Sequence, residues 1–204
     1  ASIGVAVARN FIGSTPDGTS APAEGQATLK NSSVRAGGDL SLTSLADQTI
    51  DSIVVAGSVA VGIGALVGVA ISGSGVFAEN TIGVDVGSSI DGDGAAGIHA
   101  GSVTLTASDT STIDALAGAA SLAASFGLTG GVAVSIGVSL AFNTITSAVE
   151  ASIRNADDLS TTVGDITVAA AEDAAIRVVS FAASLAAGFG GGAGVGVSGA
   201  GAVS

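Results

Sequence analysis

Large and small residues take strict turns over 132–143. Val132, Val134, Ile136, Val138, Leu140 and Phe142 alternate with Ala133, Ser135, Gly137, Ser139, Ala141 and Asn143. Successive side chains of a strand point to opposite faces, so a period of two predicts β structure. The same phase holds at Ile3, Val5 and Val7, at Val67, Val69, Ile71 and Phe77, and at Val195, Val197 and Val203. A preceding tract alternates likewise at Ile53, Val55, Val59, Val61 and Ile63, at Leu116, Leu122 and Phe126, and at Val179, Phe181, Leu185 and Phe189. Gly-rich connectors at 64–68, 127–131 and 190–194 join the two tracts in a hairpin-like arrangement. Shorter strands are expected at 27–34, 39–44, 102–108, 149–153 and 165–171. The bulky faces of the two long strands are expected to pack on each other. The small-residue faces would then receive a second sheet at close approach, as in silk.

The alternation recurs every 63 residues. "GDLSLTSLADQTIDSI" from Gly38, "GSVTLTASDTSTIDAL" from Gly101 and "GDITVAAAEDAAIRVV" from Gly164 align without a gap. "ASIGVAVARN" at the start matches "VSIGVSLAFN" at 134–143, which sets Asn10 in the class of Asn80 and Asn143. The division that follows is a partial repeat at 1–37 with a surface insertion at 14–26, repeats at 38–100 and 101–163, and a partial repeat at 164–204. First and last residues fall inside the same strand of the repeat. One stretch of a longer array is the expected explanation, with ends that complete each other between subunits as the other.

A wide unit of this kind cannot bury its own faces, and stacking on neighbours does so. The fold class is therefore all-β, a β-solenoid-like stacked repeat with 63-residue units and long Gly/Ala/Val-rich strands. Stacking in register would set like on like. Asn10, Asn80 and Asn143 would form an amide ladder, with Ser58, Ser121 and Ser184 and then Ser72, Ser135 and Ser198 as structural columns. Each Asn otherwise ends a strand at a turn, or serves a ligand site.

Composition narrows the function. Of 204 residues 17 are acidic and 5 basic, a net charge of −12. That balance argues against nucleic acid, which needs a basic footprint. There is no Cys, and His99 is the only imidazole, so thiolate chemistry, a Cys/His zinc site and a hydrolytic triad have no residues to use. No enzyme is expected. Asp91 and Asp93 in "IDGDGAAG" are weak metal candidates of a calcium-loop type, but the motif occurs once rather than in every coil. "GGGAGVG" at 190–196 has no lysine after it and so no phosphate-loop character. Stretches 52–78, 115–149 and 178–204 carry no charge. A membrane-inserting module is thus a rival, opposed by the two-residue period and by the Gly content, which disfavours helix. With no Trp or Tyr there is no aromatic girdle for a membrane barrel. Absence of Cys fits a secreted protein, and no signal peptide is visible at the start.

"SSVRAGGDLSLTS" (32–44) and "GDITVAA" (164–170) resemble coils of filamentous-haemagglutinin-like secreted adhesins. "NTITSAVEASI" (143–153) and "GAGVGVSGAGAVS" (192–204) are similar to the repeat arrays of giant bacterial surface and leukotoxin-like proteins. The resemblance implies a secreted β-solenoid stalk at the cell surface, and it transfers no functional residue. The expected function is an extracellular filament, fibre or adhesin shaft whose partner is itself. A calcium-dependent adhesin or toxin segment that binds a surface receptor is the alternative.

Overall fold

A computed structural model describes residues 1–204 as fourteen strands with no helix. All strand pairs are parallel. One coil can be followed through β4 (Leu40–Ala46), β5 (Thr49–Gly64), β6 (Val67–Asp91) and β7 (Ile98–Ala100). The next coil repeats it as β8 (Val103–Asp109), β9 (Thr112–Gly127), β10 (Gly130–Arg154) and β11 (Leu159–Thr161). A last one begins with β12 (Ile166–Glu172), β13 (Ala175–Gly190) and β14 (Ala193–Val203), and a first one holds β1 (Ser2–Ile12), β2 (Ala23–Lys30) and β3 (Val34–Arg35). One layer contains β1, β2, β6, β10 and β14. The other consists of the sheet β4, β8 and β12 followed along the chain by the sheet β5, β9 and β13, and β3, β7 and β11 form a fourth sheet. Asn143 lies beside Asn80 at an offset of 63, and Asn10 beside Asn80 at an offset of 70.

The alternation predicted from the sequence is present, but its sides are reversed in the long tracts. The bulky faces of β5 and β6 do not pack on each other. They point outward, while Ala56, Ala60, Ala70, Ala78, Ala117, Ala119, Ala123 and Ala133 are buried between the layers. Ala60 is 5% exposed and its neighbour-but-two Ile63 is 83% exposed. The connectors explain the reversal. Only Ala65 and Leu66 separate β5 from β6, and only Leu128 and Thr129 separate β9 from β10. Bulky side chains facing inward would hold two layers ~10 Å apart, which would stretch a two-residue link to about its full reach. The two strands therefore face each other at backbone contact rather than pairing as a hairpin. A Cβ on Gly62 would lie 2.0 Å from the Val69 carbonyl oxygen, and one on Gly4 2.3 Å from that of Gly57.

Several strand bounds also differ from expectation. Residues 149–153 are the end of β10, so Asn80 and Asn143 stand in mid-strand and end nothing. The stretch 27–34 is broken after Lys30, where Asn31 adopts φ 43°. Gly92 (φ 85°) and Asn155 (φ 52°) follow the residues paired with Lys30 and do the same in later coils. Gly and Asn tolerate this left-handed backbone best. The surface insertion read at 14–26 sits at 13–22: Ile12 pairs with Ile82 and Ala23 with Val84, so these residues stand against Gly83 alone.

At the Asn positions the packing changes character without a turn. Beyond them the interior holds Ile82, Val84, Val86 and Ile90 from β6, packed with Ile98, Val103, Leu105 and Ile113. The outward positions of that half of β6 are polar or Gly, among them Thr81, Asp85 and Asp91. Each coil thus joins a thick trunk with a bulky core to a thin blade with an Ala/Ser/Gly core. Fully burying a trunk Val or Ile is worth roughly 1.5–3 kcal/mol, so the trunk supplies most of the hydrophobic stabilisation per residue. The blade relies on dispersion between close backbones and on its strand ladders.

Candidate functional site: polar columns inside, apolar faces outside

The border between trunk and blade is marked by an amide column. Asn10 Nδ2 donates to Asn80 Oδ1 at 2.7 Å, and Asn80 Nδ2 donates to Asn143 Oδ1 at 2.7 Å. Asn80 is fully buried. Neighbouring strands lie ~4.8 Å apart, which suits a primary amide that donates to one neighbour and accepts from the other. Each such bond contributes roughly 1 kcal/mol net, and an unpaired buried amide costs about 1–3 kcal/mol. The column therefore fixes register more than it adds stability.

The serines are arranged differently. Ser72, Ser135 and Ser198 follow one another down β6, β10 and β14, and Ser58, Ser121 and Ser184 down β5, β9 and β13. Their hydroxyls, however, bond across the layers within a coil: Ser58 to Ser72 at 2.7 Å and Ser121 to Ser135 at 2.7 Å. The two columns form one seam through the middle of the blade. Hydroxyls on facing strands reach each other there because the layers are so close.

Asp109 is a further interior polar group, which the sequence shows only as a member of an incomplete carboxylate column with Glu172 and Ala46. It is fully buried at the end of β8, and its Oδ1 accepts from the backbone N–H (3.0 Å) and the hydroxyl of Ser111. Its Oδ2 accepts from the Ser147 hydroxyl of the opposite layer. The sequence signal is Asp-x-Ser at the corner, an Asx-type turn. The carboxylate is spent on a corner and on tying two layers together.

Asp91, Asp93 and His99 lie at the opposite corner. Asp91 Oδ1 accepts from Asn155 Nδ2 at 2.7 Å, and Asp93 Oδ2 accepts from the backbone N–H of Asp158. His99 Nδ1 is 2.7 Å from the Ser160 hydroxyl, and Nε2 is 3.6 Å from Asp158. These groups link one coil's turn to the next. No group of three or more His, Asp or Glu side chains converges on a common point. In the insertion, the Thr15 hydroxyl and then the Thr19 backbone N–H hold the Asp17 carboxyl at a pKa of about 2.

The largest chemical feature is the outside of the blade. On one face, β5, β9 and β13 present Ile53, Val55, Val59, Val61, Ile63, Leu122, Phe126, Phe181, Leu185 and Phe189 to solvent. Phe126 and Phe189 stack at 5.1 Å. The small residues Gly57, Ala120 and Ala183 line an apolar groove of about 390 Å³ along the coil axis. On the other face, β1, β6, β10 and β14 present Ile3, Val5, Val7, Val67, Val69, Ile71, Ile136, Val138, Val195 and Val197. Exposed apolar areas larger than a few hundred Å² mark interaction sites. The scattered ion pairs, such as Arg9 with Glu79 at 2.7 Å and Arg177 with Asp114 at 3.6 Å, are partly or largely exposed, and such pairs contribute about 0–1 kcal/mol. No protein-family model, curated protein or solved structure matches this chain.

Proposed function

We propose that the chain is a structural module: a 63-residue coil stacked along one axis as a β-solenoid, serving as the shaft of an extracellular filament or adhesin. The observation that carries this reading is the in-register parallel pairing of all coils, like residue on like residue through the Asn and Ser columns. The outermost strands of each sheet present unpaired backbone edges, which natural proteins cover or pair. In this proposal they pair with further copies of the same coil. The resemblance to secreted adhesin repeats supports the cell-surface setting, and an acidic net charge keeps such a shaft dispersed. Mechanical continuity through backbone hydrogen bonds would be the function, and no residue would act as a catalyst.

Cryo-electron microscopy of the purified chain tests this. Thin filaments with a ~4.8 Å axial spacing are expected as concentration rises. Discrete particles of constant length at every concentration would contradict it.

A further inference from the structure

Two groups of blade glycines contrast. Those facing inward, such as Gly62, Gly68 and Gly131, leave no room for a Cβ beside the opposite backbone. Gly73, Gly75, Gly199 and Gly201 face outward, and a Cβ on any of them meets nothing closer than the Ile136 carbonyl oxygen, 4.0 Å from Gly73. None of the four has a positive φ. Glycine weakens a strand and marks places where another backbone or ligand approaches closely. Nothing inside the chain uses the space these four leave open.

Their neighbours along the axis are bulky. Ile3, Gly73, Ile136 and Gly199 form one row across β1, β6, β10 and β14, and Val5, Gly75, Val138 and Gly201 form the next. Knob and hole alternate coil by coil. Ile3 and Val5 are 80% and 70% exposed, and Ile136 and Val138 are 53% and 40%. We infer that this outer face is a self-complementary surface on which a second copy of the chain docks with its coil order reversed. A two-fold axis parallel to the strands, midway between β6 and β10, sets β6 over the partner's β10 and β1 over the partner's β14. Ile136 and Val138 then enter the holes at Gly73 and Gly75, and Ile3 and Val5 enter those at Gly199 and Gly201. Both copies use the same patch, as a closed dimer requires.

Size and charge fit this occupant. Seven residues of β1 and eleven of each of the other three strands, at ~3.3 Å per residue and ~4.8 Å per strand, give about 630 Å² per copy, within the roughly 600–1,000 Å² per partner of a standard stable interface. The strands across 2–8, 67–77, 130–140 and 193–203 carry no charged side chain, so two acidic copies meet without like charges opposed. A lipid surface has no use for notches at a fixed axial spacing, whereas another sheet with the same strand spacing does. The pairing is lateral and does not depend on axial stacking.

Sedimentation velocity, with filament width by electron microscopy wherever filaments form, compares three forms of the whole chain. The unaltered chain is expected to be a dimer, or a double-width filament. Gly73→Ile with Gly75→Val fills the holes and should weaken pairing at least tenfold, leaving the β-type circular dichroism intact. Adding Ile136→Gly and Val138→Gly exchanges knobs and holes and should restore pairing. Single-width filaments in the filled form with double-width ones in the unaltered chain would separate lateral from axial association. The inference is overturned if the unaltered chain is unpaired, or if filling the holes leaves pairing unchanged or unfolds the chain. It is equally overturned if the exchanged form stays unpaired, or if an unpaired chain instead binds phosphatidylcholine vesicles through this face.

Discussion

A buried primary amide is the residue on which register turns. Asn80 both donates and accepts in the column, and it stands fully buried where the small core meets the bulky one. Asn80→Leu removes both bonds and leaves Asn10 and Asn143 without that partner. A loss of about 2 kcal/mol or more is expected in urea unfolding, and an unchanged midpoint would show that the column carries no energy. A second residue-scale effect belongs to the insertion. The folded pKa of Asp17, about 2, lies below its ordinary 3.8, so the turn favours the ionised form. Its contribution is complete above pH ~4 and is lost as pH falls through about 2. The Thr19 amide resonance should move over that window and should stay fixed in Asp17→Asn.

Among elements, β5 and β6 show what is legible in sequence and what is not. Their existence, and their register with the matching strands of the next coil, follow from period-two alternation and the 63-residue recurrence, whereas the full 25-residue length of β6 does not. Which face turns inward does not follow from hydrophobicity, which assigns Val59, Val61 and Ile63 to a core they never enter. The information lies in the two-residue connectors and in the glycines of the small face, since only Ala, Ser and Gly fit layers tied so closely. The change of character at Asn80 is also written in the chain. Val67 to Phe77 are bulky at odd positions and Ile82 to Val86 at even ones, and the strand runs through Asn80 without a turn. The Asn column was visible as a spacing, whereas the cross-layer serine seam and the Asp109 corner needed the path of the coil. The close approach makes a sharp prediction. Gly62→Val forces a side chain against the Val69 backbone, and a loss of about 3 kcal/mol or more, or failure to fold, is expected, as for severe overpacking. A neutral effect on thermal unfolding would mean that the layers stand farther apart.

The whole molecule is a stack of coils whose thick edge is conventional and whose thin edge is inverted, with small residues within and bulky ones without. The trunk holds each coil together and the blade displays two apolar faces, on an acidic chain whose charged residues lie largely at the trunk and corners. Because the chain contains no cysteine, a single introduced thiol reports on one position without interference. Leu122 and Ala123 are adjacent on the central strand β9, the first 38% exposed and the second fully buried. Maleimide labelling of Leu122→Cys and Ala123→Cys under native conditions therefore tests the inverted blade most directly. Rapid modification at 122 with protection at 123 is the predicted result, and protection at 122 with rapid modification at 123 would contradict it.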